Sequence, residues 1–388
     1  MAILLNSNIT TPTMQNVIDA MEPWRDKAID LYNKARSNQK ALQTYHGAIE
    51  KIYASIHAKD EDTILLNSGN SEAISQLYFT IYIHYILTGR KNAIVTFDRC
   101  SMSEQRTLKL LESQGCRVHR VPPTIDGTID LEILKEYVNT KTALVSLPLV
   151  DEEGGVIQPL EEVSQICALH GAPLYVNAKD AMGRIPIDTQ RERVDFLSFE
   201  GANIGGPKDI GALYIAKDAP ELMPLIFGHQ SEQAGLRANL QDIAKVIGFA
   251  KALESVVDAL DFEIEDTRDL RDKLEEELLK IPQSYSLAPW ALRVPTVTIM
   301  AFQGVHGGML VDLLAKRDII AYSYASYPRT NFERTPLTEL AKLDESLKHC
   351  IVGFSLWSHN SEEEIEEAIK IINETVAEVR EISACKGE

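Results

Sequence analysis

Across residues 62–252 the chain alternates short β-rich runs with amphipathic helical stretches, and few folds accommodate that alternation. Each strand must feed a helix that returns over the sheet, which produces a mostly parallel sheet covered on both faces. The spacing predicts strands over 92–97, 117–122, 142–149, 173–177, 196–199 and 212–215. It predicts a helix over 160–170, with Pro159 at its start, Leu160, Val163 and Ile166 on one face, and Gly171 just past its end. The apolar run 77–87 is too short to span a membrane and contains His84, so it reads as a buried core helix.

Beyond residue 260 the pattern changes to a charged helix with Leu270, Leu274 and Leu278 four apart. The last element, 361–379, opens on Ser361 and Glu364 in capping-box spacing and carries Ile365, Ile369, Ile372 and Val376 on one stripe. These features predict a large domain over 13–255 and a smaller α/β domain built from 1–12 and 256–388, and 388 residues suffice for two cores. A net charge of −18 without a basic run argues against nucleic-acid binding. No leader pattern opens the chain, and the five cysteines (Cys100, Cys116, Cys167, Cys350, Cys385) lack paired spacing, so a cytoplasmic protein with reduced thiols is expected. Cys167 and His170 make only half a metal site, so no metal is expected.

Ligands of open α/β sheets sit at the carboxyl ends of the strands. The segments there are Asn67-Ser-Gly-Asn-Ser-Glu72, Asp98-Arg-Cys-Ser101, the run 150–159, Asn177-Ala-Lys-Asp180, and "SFEGANIGGPK" from Ser198 to Lys208. In that order they resemble the class V aminotransferase group of pyridoxal-phosphate enzymes, closest to cysteine desulfurases. The likeness runs over about 4–380, from "LLNSNITTP" to "FSLWSHNSEEEIEEAI". It implies the pyridoxal-phosphate-dependent transferase fold type I: an α/β protein with a mostly parallel seven-stranded sheet sandwiched by helices, plus a smaller α/β domain.

The resemblance also implies where the family's site residues fall. The cofactor lysine of S-F-S-x-H-K-x-x-G-P-K aligns with Asn203, which cannot form a Schiff base, while Lys208 belongs to the Gly-Pro-Lys that follows. The pyridine-binding aspartate becomes Asn177, the ring-facing alanine Lys179, and the glutamine at the ring hydroxyl Asp180. The stacking histidine becomes Ser101, and Glu152 replaces an amide near the ring. At the phosphate, Asn70 and Ser71 remain on a helix start, but Glu200 stands for a serine. Like charges about 4 Å apart repel by roughly 4 kcal/mol at an effective dielectric near 20. The persulfide cysteine is missing from Tyr322-Ser-Tyr-Ala-Ser-Tyr327, and the arginine that clamps a substrate carboxylate becomes Gly353.

Lys179 has two readings, a substitute Schiff-base amine or a structural ion pair with Glu152, Asp180 or Glu200. For the whole chain the expectation is a pseudoenzyme with no cofactor, no catalytic residue and a degenerate pocket. It would be a homodimer acting as a binding, scaffold or regulatory protein in sulfur or iron–sulfur metabolism, with a sulfur-transfer protein or an active paralogue as partner. The alternative is an enzyme that uses non-covalent pyridoxal or pyridoxamine phosphate, or altered acid–base chemistry on a small polar ligand.

Overall fold

The computed structural model describes residues 2–31, 35–228, 232–287, 291–323 and 345–384. Its strands are β1 (Ile3–Leu4), β2 (Thr63–Asn67), β3 (Ala93–Phe97), β4 (Arg117–Val121), β5 (Thr142–Pro148), β6 (Leu174–Asn177), β7 (Phe196–Glu200), β8 (Gly211–Ile215), β9 (Ser284–Ser286), β10 (Val297–Phe302), β11 (Ile319–Ile320) and β12 (Ile351–Ser355). The helices are α1 (Gln15–Met21), α2 (Gln39–Ala54), α3 (Asn70–Ile81), α4 (Met102–Ser113), α5 (Leu131–Tyr137), α6 (Leu160–His170), α7 (Ile243–Asp258), α8 (Leu260–Leu279), α9 (Gly307–Ala315) and α10 (Glu362–Ala384).

Seven strands form the main sheet in the order β2-β8-β7-β6-β5-β3-β4, and only β8 runs against its neighbours. Alternate residues of each strand face opposite cores. Val95, Val145, Val176 and Phe199 pack with Ile52 of α2 and Phe249 of α7. Ile94, Leu144, Tyr175 and Leu213 pack with Ile74, Leu77 and Tyr78 of α3. Burial on both faces explains why the strands read as continuous apolar runs rather than alternating ones. The run 77–87 is the end of α3 followed by a π-helical turn, Tyr82–Ile86. α6 ends as the sequence predicts, at Gly171 with φ 60°.

A second core gathers Leu274 and Leu278 of α8, Leu310 and Leu314 of α9, Ile365, Ile372 and Val376 of α10, and the inner face of the antiparallel sheet β12-β10-β9. Ile3 and Leu5 join this core, because β1 pairs with β11 in parallel. The N-terminal segment then crosses to the main sheet, where Thr11 N–H donates to Ala202 O and Gly205 N–H donates to Thr11 Oγ. Cys100, Cys116, Cys167 and Cys350 are buried and form no disulfide among the described residues; Cys385 lies outside them.

Candidate functional site

The carboxyl ends of β2, β3, β5, β6 and β7 deliver Asn70, Ser71, Ser101, Glu152, Asn177, Lys179, Asp180 and Glu200 to one end of the main sheet, with Asn203 on the turn after β7. α3 starts immediately after β2 and supplies an anion-attracting N-terminus there. Three N–H groups at this turn already have acceptors. Ser68 N–H donates to Glu72 Oε2, Gly69 N–H to Asn67 Oδ1 and Asn70 N–H to Glu200 Oε2, each at 2.9 Å. Ser71 Oγ lies 2.8 Å from Ser103 Oγ.

Beneath these residues lies a group that sequence reasoning missed, the fully buried carboxylate of Glu104. It accepts from Tyr78 Oη at 2.9 Å, Ser101 Oγ at 3.1 Å and Asn177 Nδ2 at 3.3 Å, and also from Ser146 Oγ. Ser101 thereby serves as the N-cap of α4, in a capping box with Glu104. The spacing Ser101-x-x-Glu104 was a readable signal for the cap, though not for the burial. Asn177 is held in one orientation, because its Oδ1 accepts from Lys179 N–H at 3.2 Å. Tyr175 and Ser198 extend this floor: Tyr175 Oη sits 2.7 Å from Ser198 Oγ, which donates to Asn70 Oδ1. Burial, reinforced by the Glu104 charge, pushes the phenols of Tyr78 and Tyr175 well above their ordinary range.

The rim carries the charges. Lys179 Nζ donates to Asn8 O at 3.2 Å and lies 3.6 Å from Asp180 Oδ1. Burial opposes its ammonium, but the carboxylates of Asp180, Glu200 and Glu152 outweigh burial and raise its pKa above the usual lysine value. Asp180 also pairs with Arg184 at 3.6 Å. Asn203 is 5% exposed and its Nδ2 donates to Lys179 O at 2.8 Å. Lys208 Nζ donates to Ala202 O at 3.0 Å and to Thr11 O. The buried guanidinium of Arg99, also unremarked in the sequence, bridges Asp151 at 3.0 Å and Glu153 at 2.7 Å. From the segment after β11, the ring of Tyr322 lies over Gly353 so closely that a Cβ there would stand 2.2 Å from it. Residues 324–327 of the cysteine-free segment lie outside the described residues.

The profile of the family described as aminotransferase class-V matches residues 3–367. The chain belongs to the class-V aminotransferase family. A cysteine desulfurase of Sinorhizobium fredii is 28% identical to it, over 98% of this chain and 97% of that one. A mitochondrial cysteine desulfurase of Eremothecium gossypii is 29% identical, over 98% of this chain and 77% of its own. Among solved structures, a NifS-like protein matches with a TM-score of 0.89 and 26% identity, over 97% of this chain and 100% of the other. A cysteine desulfurase from Thermococcus onnurineus NA1 matches with a TM-score of 0.82 and 21% identity, over 97% and 95% of the two chains. This class-V member therefore has the fold type I architecture of pyridoxal-phosphate enzymes.

These findings correct the expectation that no cofactor is held. Relatives 28% identical across the whole chain are cysteine desulfurases of a pyridoxal-phosphate-dependent family, so pyridoxal phosphate is the expected cofactor. Side-chain replacements alter how firmly a pocket grips a group, but the fold that forms the pocket is intact here. One corner of the class-V site nevertheless does not fit the group as it stands. The Glu200 carboxylate occupies the Asn70 N–H that a phosphate at the start of α3 would need.

Proposed function

We propose that this cysteine desulfurase-like protein is a pseudoenzyme that forms neither a lysine-bound cofactor at residue 203 nor a persulfide on a cysteine after β11. It works instead as a binding, scaffold or regulatory protein tied to cysteine-derived sulfur or iron–sulfur metabolism, in the cytoplasm. The single observation that carries this reading is Asn203: the turn after β7 presents a buried amide, hydrogen-bonded to Lys179 O, and no primary amine. The lysines on either side support it, since Lys179 and Lys208 both direct their ammonium groups to backbone carbonyls. Tyr322 supports it from the opposite wall. Its ring fills the space over Gly353 where a carboxylate-clamping arginine would have to start. Pyridoxal phosphate in this pocket is held without a covalent bond to residue 203.

Two copies of the chain associate in this reading. Phe227 and Leu240 are 74% and 70% exposed, and apolar side chains gathered into one exposed patch mark a surface that a partner covers. Gly228, beside Phe227, packs against Ala238, and Ala238 N–H donates to Ile226 O, which brings the two segments together. Sedimentation should give a dimer for the native chain and a monomer for Phe227→Asp with Leu240→Asp. An unchanged sedimentation coefficient would remove the dimer from the proposal.

The main test loads the protein with pyridoxal phosphate, reduces with borohydride, maps peptides by mass spectrometry, and assays sulfide release from cysteine. The expected result is no adduct on any lysine and no sulfide above the protein-free control. Asn203→Lys combined with Asn177→Asp should restore a reducible adduct on residue 203. Steady sulfide release by the native protein would refute the pseudoenzyme reading outright.

A further inference from the structure

The start of α3 already carries an anion, and the chain brings that anion from far away. Glu72 and Asn67, which accept from Ser68 and Gly69, are local turn and helix residues. Glu200 lies 130 positions from Asn70 and reaches it only because β7 ends beside β2 across β8. Its approach also depends on a particular glycine. Gly69 has φ 133°, and a Cβ there would stand 3.0 Å from Glu200 Oε2. Helix N-termini favour negative charge, so a carboxylate on the Asn70 N–H is stabilised where a phosphate would be. Lys179 is among the groups that feel the Glu200 charge, which adds a cation on the pocket side.

We propose that Glu200 is a built-in occupant of the anion corner, which the phosphate of pyridoxal phosphate must displace before the cofactor seats. Glu200 thus discriminates between ligands: it penalises the phosphorylated ring and leaves the unphosphorylated one untouched. This rests on the reading that the pocket holds its cofactor without a covalent bond. Displacement involves two like charges exchanging one set of donors. The phosphate therefore adds little to affinity while Glu200 is present.

The test measures dissociation constants of pyridoxal phosphate and of pyridoxal by equilibrium dialysis for the native protein, Glu200→Ser and Glu200→Gln. For the native protein the two ligands should bind within about threefold of each other. Glu200→Ser removes the charge, withdraws the acceptor from the Asn70 N–H and returns a hydroxyl donor, and should strengthen pyridoxal phosphate by on the order of tenfold while leaving pyridoxal unchanged. Glu200→Gln keeps an acceptor for the Asn70 N–H but not the charge, so it should fall between. It also serves should the serine variant fail to fold. A phosphate preference that is the same in the native protein and in the folded variants overturns the proposal, and leaves the non-covalent pocket standing. Binding of neither ligand to any of the three proteins overturns both.

Discussion

Two layers meet at the carboxyl ends of the main sheet, and they treat polarity in opposite ways. The floor is closed: Glu104, Tyr78, Ser146, Tyr175 and Ser198 are fully buried, and the Glu104 carboxylate collects donors from three elements. The rim is rich in charge, and its charges are loosely matched, with Lys179 and Arg184 each 3.6 Å from the same Asp180 oxygen. A buried carboxylate is tolerated only when its lone pairs are met, so the floor behaves as part of the core. The rim makes longer contacts and retains groups that a ligand could rearrange. The floor fixes the geometry of the site, and the rim determines its chemistry.

The strongest way to break this contrast is at Glu104. Glu104→Leu strands Tyr78, Ser146 and Asn177 donors in a buried layer, each orphan costing about 1–3 kcal/mol, so a total loss of at least about 3 kcal/mol is expected in urea unfolding. Glu104→Gln keeps the shape and part of the acceptor set, and should cost about half as much. A loss below about 1 kcal/mol for the leucine variant would show the floor to be as plastic as the rim. Next in size is the wall formed by Tyr322. Gly353→Ala places a Cβ 2.2 Å from that ring, and overpacking of this kind costs about 1–3 kcal/mol. Tyr322→Ala should absorb most of the penalty in the double variant. Equal penalties in both backgrounds would mean that the ring is not what reserves position 353 for glycine.

The layers were unequally legible in the sequence. β3 and β5 were readable as buried strands because the runs around Ile94 and Leu144 are apolar on both faces, and the strand-end motifs followed from their positions. β2 was absent from the strand assignment, although the segment from Asn67 was read as lying at a strand end, and its pairing with β8 joins residues about 150 apart in the chain. The rim residues were found because they sit just after strands. Glu104 was not, because a glutamate at the third position of a helix normally faces water, and only the closure of β5 and β6 over it turns that cap into a core carboxylate. Arg99 was invisible for a similar reason: Asp151 and Glu153, its partners, arrive from the loop after β5. The Tyr322 contact with Gly353 joins residues of two different segments, which no local pattern encodes.

The smallest expected effect lies on the rim, at Lys179. Its ammonium is favoured in the folded state, because Asp180, Glu200 and Glu152 together outweigh the cost of burial and raise its pKa. A group with a raised folded pKa contributes stability that is fully present below its unfolded pKa and is lost as pH rises through the folded one. Lys179→Met retains the packing of the stem and removes the charge. The variant should therefore be less stable than the native chain by about 1 kcal/mol at pH 7, the scale of a partly exposed ion pair. That difference should hold up to about pH 10, near the unfolded lysine pKa, and shrink above it. Glu104→Gln tested across the same alkaline range should show no such closing, because no lysine donates to that carboxylate among the described contacts. A Lys179→Met difference that stays constant from pH 7 to pH 11 would mean that the rim charges act no differently from the floor.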